Sequence, residues 1–353
     1  MRHTLKTDIK ELTHDQLISW LKARGIAAYR AAQILKWVYR QADTFDVMTD
    51  LAKDIRERLS RNFTIQRLEK SDVETSRDGS RKYLFRLDDG QYVETVLIPE
   101  KDYHTLCISS QVGCAQKCRF CLTAKGGFVR NLTTGEIIAQ VRDVGNEMDG
   151  ARRLSNIVVM GMGEPLANYQ NLVDAIQMIT NADFGLKISN RRVTVSTAGF
   201  VPRLSDLNND TEVNLAISLN ATDNKTRSML MPINRTYPIE MLLEACRNYR
   251  LKPRRRITFE YILIKGVNDR PEDAKRLARL LRPIRSKINL IPLNTHEASA
   301  FKRPDDAVIA RFREILQDKN YTVMTRQSKG QDISAACGQL SANMRKTQAG
   351  DFS

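Results

Sequence analysis

No apolar run in this sequence approaches the length that a membrane-spanning helix needs, so no such helix is expected. The opening stretch, MRHTLKTDIKEL, has neither an apolar core segment nor a small-residue cleavage site. A secretory leader is therefore not expected, no membrane partner either, and a cytoplasmic location is. Internal repeats and low-complexity segments are missing, which sets aside repeat arrays. No basic tail carries the positive charge. The cysteines include no second pair at the spacing of a zinc knuckle, so a four-thiolate zinc site has no obvious sequence basis.

What is present is the composition of a folded protein. Apolar residues make up 42% of 353, enough for a large core and for two domains. Lys and Arg number 56 against 41 Asp and Glu, a net charge of +15. That surplus points to a polyanionic partner, most simply nucleic acid. Local clusters stand at Arg152-Arg153, Arg191-Arg192 and Arg254-Arg255-Arg256. A spread of this kind suits contacts to phosphates, which set affinity but not sequence choice.

Residues 1 to 75 are expected to form a small helical accessory domain that contacts RNA. LTHDQLISWLKARG opens with a capping box from Thr13 to Gln16 and stops at Gly25. YRAAQILKWVYRQ and MTDLAKDIRERLSRNF follow with amphipathic patterns. Over 76–100 the period changes to two. RKYLFRLDDGQYVETVLIPE reads as a hairpin turning at Asp88-Asp89-Gly90. From 101 to 345 strands alternate with helices. The strand candidates are TLCISS, NIVVMG, RRVTVST, VNLAISLN, ITFEYILI and KINLIPLN, and YTVMTR adds a further one. The pattern predicts an α/β fold: a parallel sheet in an open, partial (β/α)6 barrel, with function at the carboxyl ends of the strands.

The chemistry gathers in GCAQKCRFCLTAKGG. Cys114, Cys118 and Cys121 are spaced C-x3-C-x2-C on the loop after the first barrel strand. Cys107 lies in that strand, seven residues upstream. In a cytoplasmic protein such a cluster reads as metal or catalysis rather than disulfide. An iron–sulfur cubane needs one outside ligand per iron, so three thiolates leave one iron open. Of the remaining cysteines, Cys246 falls inside a helical pattern and reads as a small buried thiol. Cys337, in QDISAACGQL, sits between small residues and a glycine, on a loop expected to be flexible.

The cysteine spacing, with Phe120 before the last ligand, resembles the signature of the radical S-adenosylmethionine superfamily. There the amino acid end of S-adenosylmethionine chelates the fourth iron, and one electron releases a deoxyadenosyl radical. VVMGMGEPL carries the Gly163-Glu164 turn that receives the amino group in that superfamily. Ser196, the turn Ser218-Leu219-Asn220, and Asn294 complete a ring of polar positions at later strand ends. YVETVLIP, TLCISSQVGCAQKCRFC, GMGEPL, RRVTVSTAG, MPINRTYPI, INLIPLN and DISAACGQL stand in an order similar to one family within it. That family is the dual-specificity 23S rRNA and tRNA adenine carbon-2 methyltransferases.

The resemblance implies one 4Fe-4S cluster, two molecules of S-adenosylmethionine per turnover, 23S rRNA and tRNA as substrates, and a monomer reduced by a flavodoxin-type donor. It implies that Cys337 is methylated, that the methyl is activated and bonded to the adenine, and that Cys107 releases the product by forming a transient disulfide. Glu94 is the implied proton acceptor; Cys107 is an alternative for that step. Two positions separate this chain from others similar to it. A resistance-type group that methylates carbon 8 typically has Ala where Pro165 stands. The family usually has His where this chain has Asn220, and Asn cannot titrate near neutral pH.

Overall fold

The computed structural model describes residues 6–40, 42–148, 153–294 and 299–340. Arg152 and the end of the expected barrel at 345 lie outside them. The N-terminal unit has helices at His14–Lys22, Arg30–Arg40 and Lys53–Asn62. Thr13 and Gln16 form the expected capping box, with Gln16 N donating to Thr13 Oγ1 at 3.3 Å and Thr13 N to Gln16 Oε1 at 2.8 Å. The faces bearing Leu17, Leu21, Ile34, Leu35 and Val38 are buried. A buried arginine ties this unit to the rest. Arg142, from the helix Thr134–Asn146, donates to Val38 O and Ala42 O, both at 2.7 Å. These carbonyls lie at the carboxyl end of Arg30–Arg40, where backbone oxygens lack helical partners and a cation is favoured.

One ten-stranded sheet dominates the fold. Strands β1 (Glu69–Thr75), β2 (Arg81–Arg86), β3 (Tyr92–Pro99) and β4 (Tyr103–Ile108) form an antiparallel meander. Then β5 (Arg153–Val159), β6 (Val193–Thr197), β7 (Asn214–Ser218), β8 (Ile257–Leu263), β9 (Ser286–Pro292) and β10 (Val323–Thr325) add in sequence, all parallel to β4. The spatial order runs from β10 to β1 without interruption, so the sheet is open. The six expected barrel strands are present, and so is the further one expected from YTVMTR. The hairpin region is part of this same sheet, and β1, from within the first 75 residues, joins its edge. Ile257, Phe259, Tyr261 and Leu263 are all fully buried, as parallel strands between helices require.

Parallel strands leave every carboxyl end on one edge of the sheet, and the loops there frame a single cavity of about 490 Å³.

Candidate active site

The cysteine loop is closed at its base. Gln111–Gly113 pairs with Phe128–Asn131, and Cys114 N donates to Gly127 O at 2.7 Å. Gly113 has φ +74, and a Cβ there would lie 1.9 Å from Gly127 O, so only glycine closes the loop this way. Cys114, Cys118 and Cys121 all line the cavity. Phe120, Leu230, Met231, Ile233, Ile264 and Leu293 form a separate apolar cluster, with Cys118 and Cys121 packed against it. Burial pushes the Cys114 thiol up to about 12. Burial, followed by the neighbouring thiols, raises Cys118 well above its ordinary value, and burial raises Cys121.

The Gly163-Glu164 turn packs on the foot of that loop. Gly163 has φ +106, and a Cβ would meet Gln111 Cβ at 2.6 Å and Ser110 Oγ at 2.8 Å. Glu164 caps the short helix Pro165–Asn168, accepting from Leu166 N at 3.1 Å; its other oxygen accepts from Ala198 N at 2.7 Å. The carboxylate is thereby fixed between the ends of β5 and β6, and burial raises its pKa. Ser196 donates to Glu260 Oε2 at 2.8 Å, and Ser218 reaches the same oxygen at 3.5 Å. Asn220 adopts φ +58, a left-handed conformation that Asn tolerates better than most residues. Its Oδ1 accepts from Ile262 N at 2.8 Å, so it locks β8 to the turn after β7.

Cys107 and Cys337 arrive from distant parts of the chain and face the same cavity. Burial pushes Cys107 up to about 12, and the proximity of Cys337 adds to the effect. Arg326, at the end of β10, lies against Cys337, Glu260 and Cys107; the charge on Cys337 is the main cause that strengthens its hold on a proton.

The loop of Cys337 is strapped down rather than loose. Asp332 accepts from Ser76 Oγ at 2.6 Å and Arg77 N at 3.1 Å, while Gly330 N donates back to Asp78 at 2.8 Å. Leu122 N donates to Gly338 O at 2.8 Å, and Thr123 Oγ1 to Leu340 O at 2.8 Å, so the loop is fastened to the cysteine loop as well. Lys82 is 2% exposed; its Nζ donates to Ile333 O and stands 3.4 Å from Glu74 and 3.6 Å from Glu94.

Ten of the thirteen side chains expected from the sequence line the cavity, and Glu94, Leu219 and Asn294 do not. Glu94 is fully buried in β3, paired with Lys82. Leu219 is buried, with its N–H donating to Glu260 O and its carbonyl accepting from Arg227. Asn294 supports the Cys337 loop, donating to Cys337 O at 3.2 Å and accepting from Gln331 at 3.3 Å.

Four further residues escaped sequence reasoning: Glu260, Arg326, Lys82 and Arg227. Glu260 carried the signal that Glu94 did, a charge inside an apolar strand. Arg227, fully buried, binds the carbonyls of Ala198, Ser218 and Leu219, and Asn234 of the MPINR stretch fixes it at 3.0 Å.

No group of three or more His, Cys, Asp or Glu among the described residues is placed to hold a single metal ion. A cubane takes one thiolate per iron, so its ligands need to reach three corners rather than one point. Three thiols on one closed loop, backed by an apolar wall, fit that demand. Iron binding there displaces the protons that burial holds on the sulfurs.

The comparisons with known proteins agree with this chemistry. The family described as Radical SAM superfamily matches residues 108–281, and the one described as Ribosomal RNA large subunit methyltransferase N-terminal domain matches 7–65. The radical SAM family as a whole implies S-adenosylmethionine and a 4Fe-4S cluster. The chain is 59% identical to Dual-specificity RNA methyltransferase RlmN of Desulfosudis oleivorans, over 97% of this chain and 92% of that one. It is 54% identical to the protein of the same name from Geobacter sulfurreducens, over 96% and 92%. A crystal structure of a radical SAM methyltransferase from Sphaerobacter thermophilus superposes with a TM-score of 0.89 at 44% identity, covering 95% of this chain and 99% of that one. With cysteine loop, Gly-Glu-Pro turn and paired thiols in one cavity, the chain belongs to the RlmN family of dual-specificity RNA methyltransferases within the radical SAM superfamily.

Proposed function

We propose that this chain methylates carbon 2 of an adenine in the peptidyl transferase centre of 23S rRNA, and of the adenine next to the anticodon in tRNAs. The observation that carries the reading is the meeting of Cys107 and Cys337 in the cavity that also holds the cysteine loop. Carbon 2 of adenine lies between two ring nitrogens and is no nucleophile, so a simple displacement on a methyl donor does not serve it.

Cys114, Cys118 and Cys121 would hold the cluster, and Gly163, Glu164, Ser196, Ser218, Leu219, Asn220 and Asn294 would form or support the S-adenosylmethionine site. When bound, cluster and sulfonium supply a single electron and a carbon radical at that end of the cavity.

The chain's own groups do the rest. Cys337 Sγ takes the methyl group as a thiolate and presents it to the base. After loss of one hydrogen atom, the methyl carbon bonds to carbon 2, joining RNA and protein through a methylene. Cys107 Sγ, which lines the cavity where Glu94 does not, takes the proton of carbon 2, and the adduct returns one electron to the electron-transfer system, which restores the closed-shell ring. Cys107 Sγ then bonds to Cys337 Sγ, the sulfur–carbon bond breaks, the freed methylene carbon takes the proton that Cys107 carried, and methylated RNA leaves a Cys107–Cys337 disulfide, which two electrons reduce. Each turnover uses two molecules of S-adenosylmethionine. The chain acts as a monomer in the cytoplasm with a flavodoxin-type electron donor.

Mass spectrometry of rRNA and tRNA after anaerobic reaction with methyl-labelled S-adenosylmethionine tests this. Label on carbon 2 of an adenine is expected; label on carbon 8, or none, overturns it.

A further inference from the structure

The positive charge gathers at the edge of the sheet opposite the cavity. Five loops lead into the amino ends of β6 to β10: residues 181–192, 211–213, 249–256, 282–285 and 318–322. Together they hold eleven basic residues and three acidic ones, a surplus of eight out of the whole chain's fifteen. All the basic ones but Arg255, which is half-buried, are exposed.

This charge is not neutralised within the protein. Among the described residues, Lys252 with Glu212 is the one ion pair these basic groups make. The side chains of Arg191, Arg250, Arg254 and Arg282 make no hydrogen bond or ion pair among the described residues. Arg254 and Lys187 also hold left-handed backbone, φ +64 and +61, where glycine or asparagine is the cheaper residue. Long basic side chains thus occupy strained positions with no hydrogen bond or ion pair among the described residues to offset the strain.

Chemistry and continuity identify the partner. Eight of the eleven are arginine, whose planar fork pairs with phosphate oxygens. None of the exposed large apolar side chains lies in these loops, so nothing there inserts into lipid. Phe184, in the first loop, stacks on His14 of the N-terminal unit with ring centroids 4.4 Å apart, making the two surfaces continuous. At about 3.3 Å per residue, the strands put on the order of 15–20 Å between this rim and the cavity.

We propose that the five loops form a second RNA-binding surface. It grips the phosphate backbone of substrate RNA at a distance from the adenine in the cavity, and so favours long RNAs over short ones. The inference rests on RNA being the substrate.

The test replaces Arg191, Arg250, Arg254 and Arg282 by Gln and measures Kd against KCl for a long 23S rRNA fragment and for an anticodon stem–loop. Circular dichroism and iron content check folding. For the long RNA, four lost phosphate contacts should weaken binding about tenfold or more at 0.15 M salt, and make the log–log salt slope shallower by about three. The stem–loop should change less than about twofold, since it does not reach the rim. Unchanged affinity for the long RNA, or equal loss for both, overturns the proposal. So does loss of binding to phosphatidylglycerol vesicles with RNA affinity intact. Failure of the unaltered protein to bind either RNA defeats the substrate assignment itself, and the rim with it.

Discussion

Lys82→Met tests the contact on which the Cys337 loop rests. Methionine keeps the length and the apolar stem but removes the cation. Lys82 is 2% exposed, and its partners Glu74 and Glu94 stand 3.4 and 3.6 Å away. Removing one member of a buried pair costs about 3–5 kcal/mol, because the remaining charge is stranded. Loss of the bond to Ile333 O adds about 1 kcal/mol. Thermal melting should therefore fall by on the order of 10 °C. Hydrogen exchange should rise in 330–340, next to Cys337, while the helix Thr134–Asn146 stays protected. Lys82→Met with Glu94→Gln should recover about 2 kcal/mol, since the fully buried carboxylate is then gone and the charge left, on Glu74, is partly exposed. Unchanged melting and unchanged exchange in 330–340 would refute the reasoning.

Cys118→Ala should purify without colour, whereas the unaltered chain, handled anaerobically, should be brown with about four irons; full iron in the variant would deny Cys118 its ligand role. Cys107 and Cys246 have thiols raised from 9.0 to about 12 in the fold, so their contribution to stability is full below pH 9 and lost as pH climbs towards 12. Melting of the iron-free chain should decline across that window, and less steeply in Cys246→Ala; a flat profile contradicts this. Gly163→Ala should abolish methylation, because a Cβ 2.6 Å from Gln111 Cβ displaces the turn from the cysteine loop; near-normal activity would show that the turn is not needed.

Much of this site was legible because its signals are local. The cysteine spacing, the Gly-Glu-Pro turn and the alternation of TLCISS or NIVVMG each declare themselves within a few residues. The last strand is the weakest of these signals, because Val323–Thr325 spans three residues, too few for a full alternation, yet YTVMTR marks it. What the sequence hid depends on pairing between distant segments. Lys82 sits in an alternating strand at a position that reads as solvent-facing, yet the loop from 330 to 340 covers it. The expected flexibility of that loop followed from its small residues; Asp332 and Asp78 override it by exchanging bonds with a turn some 250 positions away. Asn220 departs from the usual His, and its left-handed backbone and bond to Ile262 give the substitution a structural account.

The account's central claim is that Cys337 carries the transferred carbon. Cys107→Ala removes the thiol that resolves the bridge, so RNA should remain bound to the protein. After anaerobic reaction and nuclease digestion, the peptide QDISAACGQL is expected to carry an adenine nucleotide through one methylene on Cys337. Released, methylated RNA with an unmodified Cys337 peptide would contradict it.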